Sequence, residues 1–214
     1  FGKWHLGDNY SFLPEQRGFK ETFYHKGGGV GQTPDYWNNN YQDDIYFRNG
    51  NPEESKGYCT DVFFDEAISF INKNKENPFL CFLSLNAPHS PFNVPREYYE
   101  LYENESDLLE SQKRFYGMIT NIDDNFGRLH QQVESLGILD NTIIIFTTDN
   151  GTSNGYKYSK KDKKWLGFNA GMRGTKTSEY DGGHRVPFII KWKKGGLFGG
   201  HNYSGLSAHV DMLP

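Results

Sequence analysis

The stretch from residue 79 to 151 constrains the fold most, because strand-like and helix-like apolar patterns follow one another there. "PFLCFLSLN" is apolar without interruption over the length of a strand, which is typical of a strand buried on both faces. An apolar helical stripe follows at alternating spacings of four and three: Phe115, Ile119, Ile122, Phe126, Leu129, Val133 and Leu136. Gly137 suits the position just after the helix end. "NTIIIFTTDNG" then predicts a second buried strand, so the order strand, helix, strand predicts a βαβ unit, a largely parallel sheet and an α/β fold.

The regions on either side of this unit have weaker or shorter patterns. A long loop leads to "VPFIIKW", which predicts another buried strand. "DVFFDEAISFINKNK" predicts a helix with Thr60 or Asp61 as the N-cap. The first 60 residues are rich in Gly, Asn, Tyr and Pro, so we expect loops with short elements there.

Composition limits the classes of partner. The 214 residues are 36% hydrophobic and 23% charged, which suits one large domain or most of one. The net charge of -4 gives no support for a nucleic-acid or anionic-membrane partner. The one basic run, "KYSKKDKKW", is interrupted by Asp162, and we interpret it as a solvated loop; an electrostatic guide for an anionic substrate is the alternative. No apolar run is long enough for a transmembrane segment, and Cys59 and Cys81 form no disulfide framework.

Two polar clusters follow the predicted strands, at the strand ends where ligands bind in open α/β sheets. In the second cluster, Asp149 and Asn150 offer hard oxygen donors suited to Ca²⁺ or Mg²⁺. The same triplet Asp-Asn-Gly also suits a simple tight turn. Taken alone, the triplet favours a turn without a ligand. Its position at a strand end makes a metal site about as well supported as a simple turn.

The first cluster, "NAPHSP", contains His89 between two prolines that stiffen the loop. An ordinary histidine pKa of about 6.5 suits a general acid or base. Taken alone, a loop histidine bonded to a backbone carbonyl is the preferred interpretation.

Further cations lie at the two ends of the chain. Lys3 and His5 are two residues apart, so on an extended segment they face the same side, as an anion that also needs proton transfer would require. "MRGTKTSEYDGGHRVP" adds Arg173, Lys176, His184 and Arg185, each of which could instead be an exposed charge.

His25 lies beside the glycines of "HKGGGVG". It could line a pocket, and a position in a surface loop is the preferred interpretation. A divalent-metal site with cations around an oxyanion indicates sulfuryl or phosphoryl transfer.

Six stretches together resemble one family. "GKWHLG" resembles the second signature of the formylglycine-dependent sulfatases, within the alkaline-phosphatase-like superfamily. Five others occur in the family's order: "GYCTDVFFDEAISFI", "NAPHSPFNVP", "TTDNG", "RGTKTSEYDGGHRVPFI" and "HVDMLP". The resemblance covers essentially the whole chain. It implies an alkaline-phosphatase-like mixed, largely parallel sheet flanked by helices, with residues 1–214 as part of a catalytic domain.

The resemblance also implies roles for single residues. Lys3 would bridge the nucleophile and the sulfate, and His5 would contact the formylglycine hydrate and assist breakdown of the sulfated intermediate. His89 would protonate the leaving group, and Lys176 would bind a sulfate oxygen. Asp149 and Asn150 would ligate the divalent cation. The cation is usually Ca²⁺ in this family, and Mg²⁺ is the alternative.

The nucleophile itself is expected outside this chain. The family's first signature, with the Cys or Ser converted to formylglycine, belongs upstream of residue 1, so we expect an internal fragment that is inactive by itself. Asp181-Gly182-Gly183 replaces the family's usual Glu-Gly-Gly. The resemblance further implies a maturation enzyme as partner, a sulfated small-molecule or carbohydrate substrate, and a periplasmic, secreted or lysosomal location. A phosphate or phosphonate ester hydrolase and a catalytically inactive binding protein are the alternatives.

Overall fold

A computed structural model describes residues 1–33, 35–36 and 38–212. The last two residues of "HVDMLP", Leu213 and Pro214, therefore lie outside the described residues. Eight strands are described: β1 Gly2–Lys3, β2 Phe23–His25, β3 Ile45–Arg48, β4 Asn51–Glu54, β5 Ile144–Thr147, β6 Tyr156–Ser159, β7 Lys164–Gly167 and β8 Phe188–Lys191. Four α-helices are described: α1 Cys59–Asn74, α2 Arg96–Glu100, α3 Glu110–Ser135 and α4 Asp181–His184. The predicted mixture of helices and strands is confirmed.

A four-stranded sheet occupies the first part of the chain, where loops with short elements were predicted. The strand order is β1-β2-β3-β4, with β1 parallel to β2 and the other two pairs antiparallel. Phe23 on β2, Tyr46 on β3 and Phe63 on α1 are almost fully buried. Their rings pack at tilted and edge-on angles, with centroids 4.8 Å apart for Tyr46 and Phe63. Burial of these aromatic rings stabilises the sheet against α1.

The long helices follow their predictions, with a different packing face. Helix α1 begins at Cys59 with Tyr58 as the N-cap, so the predicted caps Thr60 and Asp61 are wrong. The Asp61 carboxylate instead accepts hydrogen bonds from the amide groups of Asn121 and Asn125 on α3, at 2.8 and 2.7 Å. This buried polar contact between α1 and α3 is why the buried face of α3 includes residues that the apolar stripe omits. Gly137 follows the end of α3 with a φ of 71°, as predicted.

Two predicted buried strands have other surroundings. Residues 79–85 form an extended segment with one parallel bridge, between Gly2 and Ser84, and Leu80 is 72% exposed. The predicted strands at 142–148 and 186–192 pair with each other as β5 and β8, and they are antiparallel. The β5–β8 pair does not involve residues 79–85, so the direction of the predicted βαβ unit stays a prediction. An apolar run reports a tendency to be buried, but the identity and direction of the partner strand depend on contacts distant in sequence.

The predicted long loop after β5 contains regular structure. Residues 156–159 and 164–167 form an antiparallel hairpin, β6–β7, in which Tyr158 lies opposite Trp165. Helix α4 adds one short turn before β8. No helix within the described ranges is long and apolar enough to cross a membrane.

Candidate active site

The segment that carries Lys3 and His5 is attached to the edge of the first sheet. Lys3 lies opposite His25 in the parallel pairing of β1 and β2. The backbone N–H groups of Trp4 and His5 donate to the carbonyl oxygens of His25 and Lys26, at 2.9 and 3.0 Å. The ladder thus places Lys3 and His5 beside the glycines that follow Lys26.

Residues 27–31, "GGGVG", form a glycine loop that approaches both side chains. The Lys3 ammonium lies 3.5 Å from the carbonyl oxygen of Gly28. A β-carbon at Gly28 would lie 3.1 Å from His5 Nε2, so a side chain there would crowd the imidazole. Glycine at position 28 therefore leaves the space that the His5 ring occupies.

The same loop contacts the segment that carries His89. The Val30 N–H donates to Asn86 Oδ1 at 3.1 Å. The Asn86 amide donates in turn to the Tyr41 hydroxyl, which donates to the His89 carbonyl oxygen at 2.8 Å. A β-carbon at Gly29 would lie 3.5 Å from His89 Nδ1. Lys3, His5 and His89 consequently surround one short loop, and Asn86 and Tyr41 are positioning residues that the sequence patterns did not identify.

The His89 ring is held through one of its two nitrogens. Nδ1 lies 2.8 Å from the carbonyl oxygen of Ser90, so Nδ1 carries the hydrogen and Nε2 is the nitrogen left for a ligand. The carbonyl contact expected of an ordinary loop histidine is present and is compatible with a chemical role for Nε2. Burial lowers the pKa of His89, and the positive charges of Lys3 and Lys176 lower it further.

Asp149 and Asn150 lie just after β5, with the Asn150 amide donating to the Asp149 carboxylate. Gly151 donates its N–H to the Gly183 carbonyl oxygen at 2.8 Å. The Lys176 N–H donates to the carbonyl oxygen of Thr152 at 2.9 Å. These contacts attach the segment around Lys176 and the Gly-Gly pair to the loop that holds Asp149.

Charged groups from both parts of the candidate site shift the pKa values of Lys3 and His89. Burial lowers the pKa of Lys3, Asp149 raises it, and Lys176 lowers it. Asp149 also raises the pKa of His89. Lys3 and His89 lie against one glycine loop, and Lys176 is attached through Thr152 to the segment that carries Asp149. Their mixture of two ammonium groups, an imidazole and a carboxylate can bind an anion and transfer a proton to it.

The other cations of "MRGTKTSEYDGGHRVP" have structural contacts. The Arg173 guanidinium carbon lies 3.5 Å from the centroid of the Tyr180 ring. Arg185 forms an ion pair with Asp181 at 3.3 Å, and His184 lies 3.1 Å from a backbone carbonyl oxygen. The alternative of structural or surface charges therefore holds for Arg173, His184 and Arg185.

His25 is fully buried, so the surface-loop interpretation is wrong. Its Nε2 lies 2.9 Å from Asn39 Oδ1 and 3.3 Å from the Asp35 carboxylate. Asn39 Oδ1 also accepts the Gly31 N–H at 3.1 Å, and the Asp35 carboxylate accepts the Lys26 N–H at 2.9 Å. This His25 network, consisting of His25, Asp35 and Asn39, holds both ends of the glycine loop.

Asp149 and Asn150 provide the side-chain oxygens that could bind a cation. Asn150 Oδ1 is buried and has no hydrogen-bond partner, while the Asp149 carboxylate is exposed. An unsatisfied amide oxygen beside a carboxylate fits a hard cation such as Ca²⁺. Across the described part of the chain, no group of three or more His, Cys, Asp or Glu side chains could hold a metal ion. Two oxygen donors are fewer than Ca²⁺ needs, so Asp149 and Asn150 could supply only part of a ligand set.

Comparison with known proteins identifies the family. The sulfatase family model matches residues 1–214. The "Uncharacterized sulfatase YdeN" of Escherichia coli K12 is 28% identical over 240 aligned positions, covering 100% of this chain and 39% of that protein. The "Ulvan-active sulfatase" of Formosa agariphila is 27% identical, covering 90% of this chain and 38% of that protein.

Solved structures agree with these sequence similarities. The crystal structure described as "Ps i-CgsB in complex with k-i-k-neocarrahexaose" superposes with a TM-score of 0.73 and 30% identity. It is matched over 90% of this chain and 44% of its own length. The chain thus spans about two fifths of the relatives it matches. The match of the family model over all 214 residues establishes that this chain belongs to the sulfatase family.

Proposed function

We propose that the full-length protein hydrolyses sulfate esters of carbohydrates at the site that contains Lys3, His89, Asp149 and Lys176. The observation that carries this proposal is the glycine loop that Lys3, His5 and His89 all approach, with His89 Nε2 left for a ligand. A sulfate ester has anionic oxygens that ammonium groups bind, and its leaving alcohol needs a proton.

Each residue has a role in the proposed reaction. Lys3 and Lys176 bind the sulfate oxygens and stabilise the charge that spreads over them. His89 donates a proton from Nε2 to the departing alcohol, while its Nδ1 stays bound to Ser90. His5, which lies against the glycine loop, would contact the formylglycine hydrate and assist breakdown of the sulfated intermediate. A formylglycine made from an upstream Cys or Ser by a maturation enzyme would supply the hydroxyl that attacks sulfur.

A divalent cation belongs to the same proposal. Asp149 and Asn150 would hold Ca²⁺, or Mg²⁺ instead, with the remaining ligands supplied from elsewhere in the full-length protein. The cation would neutralise negative charge on the sulfate and the nucleophile.

The carbohydrate part of the proposal rests on similar proteins. One relative is named for activity on ulvan, and the solved structure with 30% identity contains a neocarrahexaose. The predicted periplasmic, secreted or lysosomal location stays a prediction of the family resemblance.

The test uses the full-length protein with a chromogenic aryl sulfate and the matching aryl phosphate. Sulfate release is expected, with kcat/KM lowered at least about a hundredfold in His89→Ala and in Lys176→Ala. Lys75→Ala, which removes an exposed lysine at the end of α1, is the matched control and should retain the wild-type rate. Preference for the phosphate ester would support the phosphohydrolase alternative. Wild-type rates of aryl sulfate hydrolysis in both His89→Ala and Lys176→Ala would overturn the assignment.

A further inference from the structure

The β6–β7 hairpin carries a concentrated positive charge. Residues 155–168 contain five lysines and one aspartate, so their net charge is +4, although the whole chain has a net charge of -4. Four of these lysines have no ion pair in the described part of the chain, and Lys164 contacts Asp107 at 3.0 Å. A local field of this sign attracts anions within about 10 Å of the hairpin at moderate salt.

One face of the hairpin is aromatic. The register places Tyr156, Tyr158 and Trp165 on the same face, since Tyr158 lies opposite Trp165 and side chains alternate along each strand. The Tyr156 and Trp165 rings stack with centroids 4.8 Å apart and planes 16° apart. Trp165 is nevertheless 54% exposed and Tyr158 is 49% exposed. Aromatic rings on a rigid strand pair beside a cluster of lysines suit a ligand that has both apolar faces and negative charge.

The hairpin is attached firmly to α3, so its aromatic face is formed before any ligand binds. Gln112, fully buried at the start of α3, donates to the Leu166 carbonyl oxygen at 2.9 Å. The Tyr116 hydroxyl donates to the Gly155 carbonyl oxygen at 2.7 Å. Leu166 is 5% exposed, so the opposite face of the hairpin packs inward. A fixed surface of this kind loses little conformational entropy on binding.

The base of the hairpin is joined to the candidate active site. The Thr152 hydroxyl accepts the Gly155 N–H at 2.8 Å, and the Thr152 carbonyl oxygen accepts the Lys176 N–H at 2.9 Å. Thr152 follows Asp149 by three residues. The first strand of the hairpin therefore begins six residues after Asn150. Thr152, at the base of the hairpin, contacts both Gly155 and Lys176.

We propose that the β6–β7 hairpin binds a sulfated polysaccharide chain next to the scissile sulfate, so that the protein acts on a polymer. Sugar rings would stack on Trp165 and Tyr158, and the lysines would bind sulfates on neighbouring sugar units. This inference rests on the proposed function. The contacts between the base of the hairpin and the segment of Lys176 favour a polysaccharide, because a chain with its scissile sulfate at the proposed site would extend toward the hairpin.

The catalytic test compares a small substrate with a polymer in the full-length protein. Trp165→Ala and the double variant Lys160→Ala/Lys161→Ala are assayed with a chromogenic aryl sulfate and with a sulfated polysaccharide. The ratio of kcat/KM for the polymer to that for the aryl sulfate is expected to fall about tenfold in each variant, mainly through KM. Lys73→Ala/Lys75→Ala, on the exposed end of α1, is the control for lost positive charge. An unchanged ratio in both hairpin variants would overturn the proposal.

A binding measurement separates this inference from the proposed reaction. Wild-type protein should be retained by an immobilised sulfated polysaccharide, much less by the same polysaccharide after desulfation, and retention should weaken with salt. The hairpin variants should be eluted earlier, with unchanged thermal unfolding. Equal retention on single-stranded DNA, or unchanged retention of the variants, would contradict a polysaccharide site. Failure of aryl sulfate hydrolysis with intact retention would contradict only the proposed function.

Discussion

Lys3 lies directly opposite His25 in the parallel register of β1 and β2, so a lysine of the candidate site shares one rung of the sheet with a fully buried histidine. The position of Lys3 depends on β2, and β2 ends in the His25 network. The glycine loop begins two residues after His25 and contacts both His5 and the segment of His89. The buried network consequently governs the geometry of residues that are not themselves part of it.

Asn39→Ala is expected to lower the free energy of unfolding by about 1–3 kcal/mol more than Asn38→Ala does, because Asn39 accepts two hydrogen bonds, one of them from the buried His25. Asn38 is the matched control because it is exposed and also has a positive φ, so the backbone strain of alanine is common to both variants. Denaturant unfolding measures the difference. Equal unfolding free energies would show that the network does not stabilise the loop.

Gly28→Ala is expected to lower kcat/KM for an aryl sulfate without unfolding the protein. The new β-carbon would lie 3.1 Å from His5 Nε2 and 3.2 Å from Thr33 Oγ1, so the imidazole must move. Gly127→Ala on α3 is the control, since nothing lies within 4 Å of its β-carbon, and it should raise helix stability by up to about 1 kcal/mol. Steady-state kinetics and thermal unfolding together check both variants; full activity of Gly28→Ala would argue against a role for His5.

The pKa of His89 is expected to lie below its ordinary value of 6.5 and to rise when Lys176 is replaced by alanine. Burial is the main cause of the lowered pKa, and the Lys176 charge is a further one that the variant removes. A proton donor works only while protonated, so activity that depends on His89 should fall as pH rises through this lowered pKa. Titration of the histidine ring signals by NMR measures the pKa, with Lys75→Ala as control. A lower pKa in Lys176→Ala would contradict the proximity of the two groups.

Asp44→Asn is expected to raise the free energy of unfolding at pH 7 by about 1 kcal/mol. Burial raises the pKa of Asp44 above its ordinary value of 3.8, so the folded state binds the proton more tightly than the unfolded state. The stability of the wild type should therefore fall as pH rises from 3.8 through the raised pKa, and the variant should lack this loss. Denaturant unfolding across pH tests the expectation, with exposed Asp123→Asn as control. Destabilisation by Asp44→Asn would show instead that a protonated neighbour compensates the carboxylate.

Asn150→Ala is expected to weaken Ca²⁺ binding to the full-length protein at least about tenfold. Its side-chain oxygen is buried without a partner, and removing it deletes one proposed ligand. Isothermal calorimetry with Ca²⁺ and with Mg²⁺ measures the affinity directly, independently of turnover. Asn141→Ala, an exposed asparagine just before β5, should bind as the wild type does. Unaltered affinity in Asn150→Ala would remove this residue from the metal site.

Local patterns in the sequence determined the elements whose stability is local. The stripe from Phe115 to Leu136 predicted α3, and Gly137 marked its end, because a helix is closed by hydrogen bonds between residues four apart. The chemical types of Lys3, His5, His89, Asp149 and Lys176, with the order of the motifs around them, were sufficient to indicate the family.

Only the tertiary structure decided which segments meet. The apolar runs at 79–85 and 186–192 carried no information on partner or direction, and the structure pairs β8 antiparallel with β5. The buried position of His25, the contacts of Asn86 and Tyr41, and the aromatic face of the β6–β7 hairpin likewise arise from residues distant in the chain. The physical reason is that side-chain periodicity reports how a segment divides between core and solvent. Long-range packing and strand register decide which strand pairs with a segment and which charged groups lie near it. No single segment encodes these contacts.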